Sequence, residues 1–342
     1  MTAAVLDRPI GPDGIDVREV PVPVPGPGEA LVRVHASTVI SSELSTLWGV
    51  ADPSGPSYPM TLGNEFAGVV VSCPGGELPE GQPVTTAWAG HGWTRDGGQA
   101  QYVVSPAADL LPYRSTLPFT TVAAMPKAFT RAHLARTTLN WQPGQSLLVR
   151  GGTTAIGLAV AGIAAADGAH VLTTTRSAEK AELLRARGIG EVLLDDGGLV
   201  ERVRERYPNG VDDALELLGY PAVIDSLRCV RTGGTVAMIG LLQEQAHARA
   251  TSTPMDGETL IAPSPFHYIP NGVRLTTANH KSLKPSDSLA GLFGGIQEWL
   301  DRVEAGELSV AIDREFTLTD IRDAYRYLAA QSGIGKVVIR ID

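Results

Sequence analysis

Two cysteines in 342 residues, Cys73 and Cys229, are too few and too far apart for a disulfide framework, a four-cysteine metal lobe or a thiolate cluster. Positive charge is also scarce. Against 37 Asp and Glu stand 28 Lys and Arg, a formal net charge of −9 that argues against nucleic acid or an anionic membrane as partner. No uncharged run is long enough to span a bilayer, because the most apolar stretch, after Arg150, is broken by glycines, threonines and Asp167. At the start Asp7 and Arg8 come before any apolar run, so no secretory signal is expected and the cytoplasm is the expected compartment. There is no internal repeat. The length allows two domains, each with its own core.

What is present changes in texture along the chain. Through about residue 115, alternating segments (Glu29 to Thr38, Phe66 to Ser72, Gln82 to Ala89, Gln99 to Pro106) are separated by Pro/Gly turns such as PVPVPGPGE, which predicts a small, partly open β-barrel. A helical segment over 121–136 follows. Then SLLVRGGTTAIG, Ser146 to Gly157, places a short apolar strand before a glycine turn and a helix of small residues. Main-chain N–H groups at such a helix start cradle a dinucleotide pyrophosphate, so Gly151, Gly152, Thr153, Thr154, Ala155, Ile156 and Gly157 are the expected cradle. Set against GxGxxG, the middle glycine is Thr154, whose Cβ either displaces the pyrophosphate or offers it a hydroxyl; with the dinucleotide bound, that hydroxyl is expected to donate to a pyrophosphate oxygen.

The second strand, His170 to Arg176, lacks the terminal acidic residue that would bind a ribose diol. Thr175, Arg176, Ser177 and Lys180 suit a 2′-phosphate instead, so NADPH (NADP) is expected over NADH. Further strands over Glu191 to Asp196, Val211 to Gly219, Thr235 to Gly240 and Val273 to Ala278 complete a doubly wound parallel sheet. Gly240 and Leu241, where the fifth strand ends, are assigned to the cofactor. After an amphipathic helix at about Leu289 to Ala305, the tail predicts strand, helix and closing strand returning to the first domain.

With LGNEFAGVVV, GGTTAIG, TTRSAEK, GGTVAMIG and GKVVIRI in this order, the chain resembles the medium-chain dehydrogenase/reductase superfamily, and within it the zinc-independent quinone oxidoreductase-like branch. The resemblance implies an α/β fold. A GroES-like partly open β-barrel catalytic domain (residues 1–115 and 285–342) is interrupted by a Rossmann NADP-binding domain (116–284), with the active site in the cleft. It also implies a homodimer paired through the last Rossmann strand. Zinc-dependent members carry Cys and His ligands where this chain has Ile40 and Asn64, which supply neither thiolate nor imidazole, so no metal is expected and Glu65 is assigned to supporting the fold. His91 is assigned to a loop and Tyr58 to structure.

The expected chemistry is zinc-free, NADPH-dependent hydride transfer to a small-molecule enone C=C or quinone, with hydrogen-bond donors polarising the carbonyl. Candidate catalytic residues are Ser41 and Glu43, in the segment where relatives carry Asn-Pro-Ser-Asp, and Arg131, His267 and Tyr268. Arg131 and Ala132 stand where the family has a Thr-Ala pair, and Lys127 shares a helix face with Arg131. His133 is assigned to packing. The proton-donating Tyr of the similar 2-enoyl thioester reductases corresponds to Ala51, and a Tyr that helps hold the 2′-phosphate corresponds to Asp195. Reduction of a ketone or imine stays open, as does a non-redox cyclase, isomerase or nucleotide-binding regulator on the same fold.

Overall fold

Alternation of apolar and polar residues over Glu29–Val39 makes the longest strand, β3, and turns Ala30, Val32, Val34 and Ala36 into the core of a first unit. The structure is a computed structural model describing residues 1–49, 56–87, 89–240, 268–278, 296–330 and 333–342. β1 (Thr2–Leu6) pairs antiparallel with β2 (Ile15–Glu19) and β4 (Met60–Thr61) in a three-stranded sheet. β3 pairs antiparallel with β5 (Glu65–Ser72), which is followed in the sheet by β6 (Pro83–Ala87) and β8 (Leu111–Pro112). β3 also pairs with β7 (Tyr102–Pro106) near its start and with β16 (Lys336–Arg340) near its end. β15 (Ile312–Thr317) lies parallel to β16. Short α1 (Glu43–Leu47), α2 (Phe119–Ala124), α8 (Ile296–Glu304) and α9 (Ile321–Ala329) belong to the same unit. Its core holds Leu6, Leu44, Leu47, Phe66 and the ring of Tyr325.

The helix expected over 121–136 is two helices. Pro126, which has no N–H to extend a hydrogen-bonded run, ends α2 and starts α3 (Pro126–Leu139) at its first position. α2 packs on β3, β5 and β16. The first unit therefore comprises Met1–Thr130 and Lys284–Asp342, reaching past the expected limit at residue 115, and the second comprises Arg131–Leu283.

In the second unit six parallel strands run in the order β11-β10-β9-β12-β13-β14. They are β9 (Ser146–Arg150), β10 (His170–Thr175), β11 (Glu191–Leu194), β12 (Val211–Glu216), β13 (Val230–Met238) and β14 (Arg274–Thr277). Every residue of β9 is buried, as expected for a parallel strand covered on both faces by helices. The helices are α4 (Ala155–Ala166), α5 (Ala178–Ala186), α6 (Leu199–Arg206) and α7 (Tyr220–Cys229). β9 has β10 on one side and β12 on the other, so the strand order reverses there, the place where doubly wound sheets bind ligands at their carboxyl ends. Among the described residues no helix is long and apolar enough to cross a membrane.

Candidate functional site

The turn after β9 is shaped by close approach. A Cβ on Gly152 would lie 2.7 Å from the Thr173 Cβ, and one on Gly157 would lie 2.5 Å from the Gly151 carbonyl oxygen. Glycine at both positions lets α4 start directly against the sheet. Thr154 is the N-cap of α4: its Oγ1 accepts the Gly157 N–H at 2.9 Å and donates to the Gly151 carbonyl at 2.9 Å. This revises the expectation for Thr154, whose hydroxyl proton is committed inside the turn rather than held out to a pyrophosphate. The N–H groups of Thr153, Ala155 and Ile156 have no acceptor among the described residues. They are the donors at the positive end of α4, and with the two glycines they fit a dinucleotide pyrophosphate.

Beyond β10, Thr175 is buried and its Oγ1 accepts the Ser177 N–H at 3.2 Å. Ser177 caps α5 by accepting the Lys180 N–H at 3.2 Å, and Arg176 is exposed. Asp195, which stands where the resemblance implied a phosphate-binding Tyr, is turned to another partner. Arg150 holds it with Nε–Oδ2 at 2.7 Å and Nη2–Oδ1 at 2.9 Å, both side chains buried. Arg150 also donates to the Ala222 carbonyl and to Ser226 Oγ. Glu216, fully buried at the end of β12, accepts from the N–H groups of Leu218 and Gly219 and from the Ser226 hydroxyl. Burial pushes its carboxyl up to about 7 against those donors and the nearby Arg150. Gly240 ends against Leu217, where a Cβ would meet the carbonyl oxygen. Leu241 and His267 lie outside the described residues, as does Ala51. Tyr268 is half-buried and packs on the core of the second unit.

Of the other sequence candidates, Glu43 falls in a buried polar network of the first unit, Ser41 lies near it, and Arg131 begins the second unit outside it. Glu43 is not a group open to substrate. It is buried and accepts from the N–H groups of Ile40 (3.1 Å), Gly63 (3.0 Å) and Asn64 (2.8 Å) and from the Tyr325 hydroxyl (3.0 Å). Burial raises its pKa, and the donors and the Lys127 charge oppose that rise. Glu65 is likewise buried, and it supports the fold: it accepts from the Thr38 hydroxyl (2.7 Å) and the Lys127 N–H (2.9 Å) and pairs with Lys336. Lys127 Nζ donates to Ser42 Oγ and Asn64 Oδ1, each at 3.1 Å. Asn64 is fixed in turn by its side-chain donation to the His91 carbonyl at 2.8 Å. His91 bonds the Asp96 carbonyl and Ser105 Oγ, and burial pulls its pKa down to about 4. Ser41 is half-buried beside this network, and the Tyr58 hydroxyl is tied to the Thr46 carbonyl. Arg131, one turn beyond Lys127 on α3, is half-buried with no hydrogen bond or ion pair among the described residues, and burial lowers its pKa. Among the described residues no three His, Cys, Asp or Glu side chains are grouped to hold a metal ion.

Sequence reasoning did not find Arg150, Glu216 or Tyr325. The first two are charged residues at the carboxyl ends of buried parallel strands, a signal that was readable. Tyr325 gives none, since its partners lie more than 200 residues away in sequence.

A doubly wound sheet with a glycine turn fit for a dinucleotide, and a largely antiparallel first unit, give the two-domain architecture of an oxidoreductase. Residues 26–115 match the alcohol dehydrogenase GroES-like domain, and residues 155–263 match the zinc-binding dehydrogenase family. The chain belongs to the medium-chain dehydrogenase/reductase superfamily, among its quinone oxidoreductase-like members. It is 32% identical over 227 residues to a zinc-type alcohol dehydrogenase-like protein of Schizosaccharomyces pombe, a match spanning 66% of each chain. It is 29% identical over 240 residues to the quinone oxidoreductase of Rattus norvegicus, covering 67% of this chain and 70% of that one. A mycobacterial protein solved in complex with NADPH superposes with a TM-score of 0.80 at 24% identity, covering 99% of both chains.

Proposed function

We propose that the chain is a zinc-free, NADPH-dependent reductase of a carbonyl-conjugated C=C or a quinone, working as a cytoplasmic homodimer. The observation that carries this reading is the end of β10. Exposed Arg176 and half-buried Ser177 follow the strand, Lys180 stands in the first turn of α5, no acidic residue ends the strand, and Asp195 is neutralised by Arg150. Bound there, NADPH would supply the hydride. The chain's part is to hold the pyrophosphate on the N–H groups of Thr153, Ala155 and Ile156 and the 2′-phosphate on the β10–α5 turn. The relatives named quinone oxidoreductase and the NADPH-bound mycobacterial neighbour support the reading. Zinc independence is supported by Ile40, which offers no ligand atom, and by Asn64, whose amide is engaged by Lys127 and His91.

The test is titration with NADPH and NADH by fluorescence, followed by an absorbance assay of NADPH oxidation over enones, quinones and ketones, with elemental analysis for zinc. Tighter NADPH binding with turnover of an enone or quinone is expected. Binding without any turnover would replace this reading with a non-redox one, and turnover of simple ketones alone would move the substrate class.

A further inference from the structure

The carboxyl ends of β10 and β11 leave the sheet side by side. Thr175 is paired with Leu194, and the Asp195 N–H extends that ladder onto the Thr175 carbonyl at 2.9 Å. The residues that follow, Arg176 and Ser177 from one strand and Asp195 and Asp196 from the other, are therefore neighbours. Each of these two acids is gripped by an arginine. Arg150, the residue before Gly151, reaches across the end of β10 to take both Asp195 oxygens, with Nε on Oδ2 at 2.7 Å and Nη2 on Oδ1 at 2.9 Å. Arg202 of α6 takes both Asp196 oxygens, with Nη1 on Oδ1 and Nη2 on Oδ2 at 2.9 Å. Burial alone would lower the Arg150 pKa, but its bonds to Asp195 and the charges of Glu216, Asp195 and Asp225 raise it, so the guanidinium stays charged. A guanidinium fork matches a carboxylate plane and engages both of its oxygens at once. A carboxylate at the adenosine ribose accepts from the 2′-hydroxyl and repels a phosphate there, which is how such sheets select NADH. Here two carboxylates stand beside the β10–α5 turn, and both are occupied.

We propose that Arg150 and Arg202 are specificity-determining residues for the cofactor: by occupying Asp195 and Asp196 they withhold two carboxylates from the adenosine ribose and leave the β10–α5 turn open to a 2′-phosphate. Selection at this turn then depends on disarming acids as much as on offering a cation. Neither arginine needs to touch the phosphate; each is a positioning residue that acts through its aspartate. Arg150 has the larger effect, because its pair with Asp195 is buried, whereas the Asp196 side chain is half exposed and screened by solvent. This role deepens the NADPH reading and rests on it for the identity of the ligand.

The test is fluorescence titration of the whole chain with NADPH and with NADH, in the wild type, Arg150→Met, Arg202→Met and the double variant Arg150→Met with Asp195→Asn. Arg150→Met should weaken NADPH roughly tenfold or more while NADH stays level or tightens, because the released carboxylate repels the phosphate and accepts from the ribose. Adding Asp195→Asn should restore most of the NADPH affinity. Arg202→Met should shift the ratio of affinities the same way by a smaller factor. A merely structural role would weaken both cofactors in parallel, and that result overturns the proposal, as does an Arg150→Met protein that keeps the wild-type ratio. Should Arg150→Met fail to fold, Arg150→Lys keeps the charge without the fork and is expected to move the ratio in the same direction. An unchanged ratio in both Arg150→Lys and Arg202→Met then overturns the proposal. Equal affinity of the wild type for the two cofactors removes the NADPH reading itself, whereas a wild-type preference that survives in the arginine variants removes only the role of the arginines.

Discussion

Thr154 closes a helix on itself with a single hydroxyl, taking the Gly157 N–H and giving its own proton to Gly151. Thr154→Val keeps the bulk and loses both bonds. It should cost about 1 kcal/mol of stability, read as a lowered urea midpoint, and Thr154→Ser should recover most of it. An unchanged midpoint for the valine variant would mean the cap contributes nothing. Glu216 carries a second residue-level consequence. Burial lifts its carboxyl from 4.5 to about 7, so the folded protein holds a proton that the unfolded chain releases. The stability this confers is complete below about pH 4.5 and declines as pH rises through about 7, a swing on the order of 3 kcal/mol at ~1.4 kcal/mol per unit. Glu216→Gln should flatten that window in pH-dependent urea unfolding, and parallel profiles for the two proteins would contradict the assignment.

Elements whose causes are local were readable from the chain. The apolar strand, glycine turn and small-residue helix at 146–166 follow from neighbours in sequence, as do β10 and the Ser177 cap that turns the chain into α5. The β10–α5 turn is where cofactor choice is expected to be made. Arg176→Ala should reduce the NADPH preference roughly tenfold or more, since charge-assisted hydrogen bonds contribute ~1.5–3 kcal/mol each. Equal wild-type affinity for NADPH and NADH would refute that placement. What stayed illegible depends on partners remote in sequence. Glu43 reads as a candidate catalytic carboxylate until Tyr325 on α9 and the Gly63–Asn64 main chain are seen to surround it. Likewise the break between α2 and α3 was hidden by helix-forming residues on either side of Pro126, although the proline itself was the available signal.

At the scale of the whole molecule, β14 is the edge of the second sheet: one side pairs with β13, and no strand among the described residues covers the other. Two copies joined edge to edge there would satisfy both rows of main-chain groups, so light scattering should report a dimer across the accessible concentration range. A monomer at every concentration would count against it. The first unit has a different incompleteness, one of time. β3 lacks β16, Glu65 lacks Lys336 and Glu43 lacks Tyr325 until the last elements have been synthesised. About 200 residues separate Thr130 from Lys336, and at ~5–20 residues per second they occupy the ribosome for roughly 10–40 s. The intervening unit can fold during that interval. The N-terminal strands meanwhile wait with an open edge and two carboxylates lacking their distant partners, the kind of transiently unpaired edge that promotes aggregation during folding.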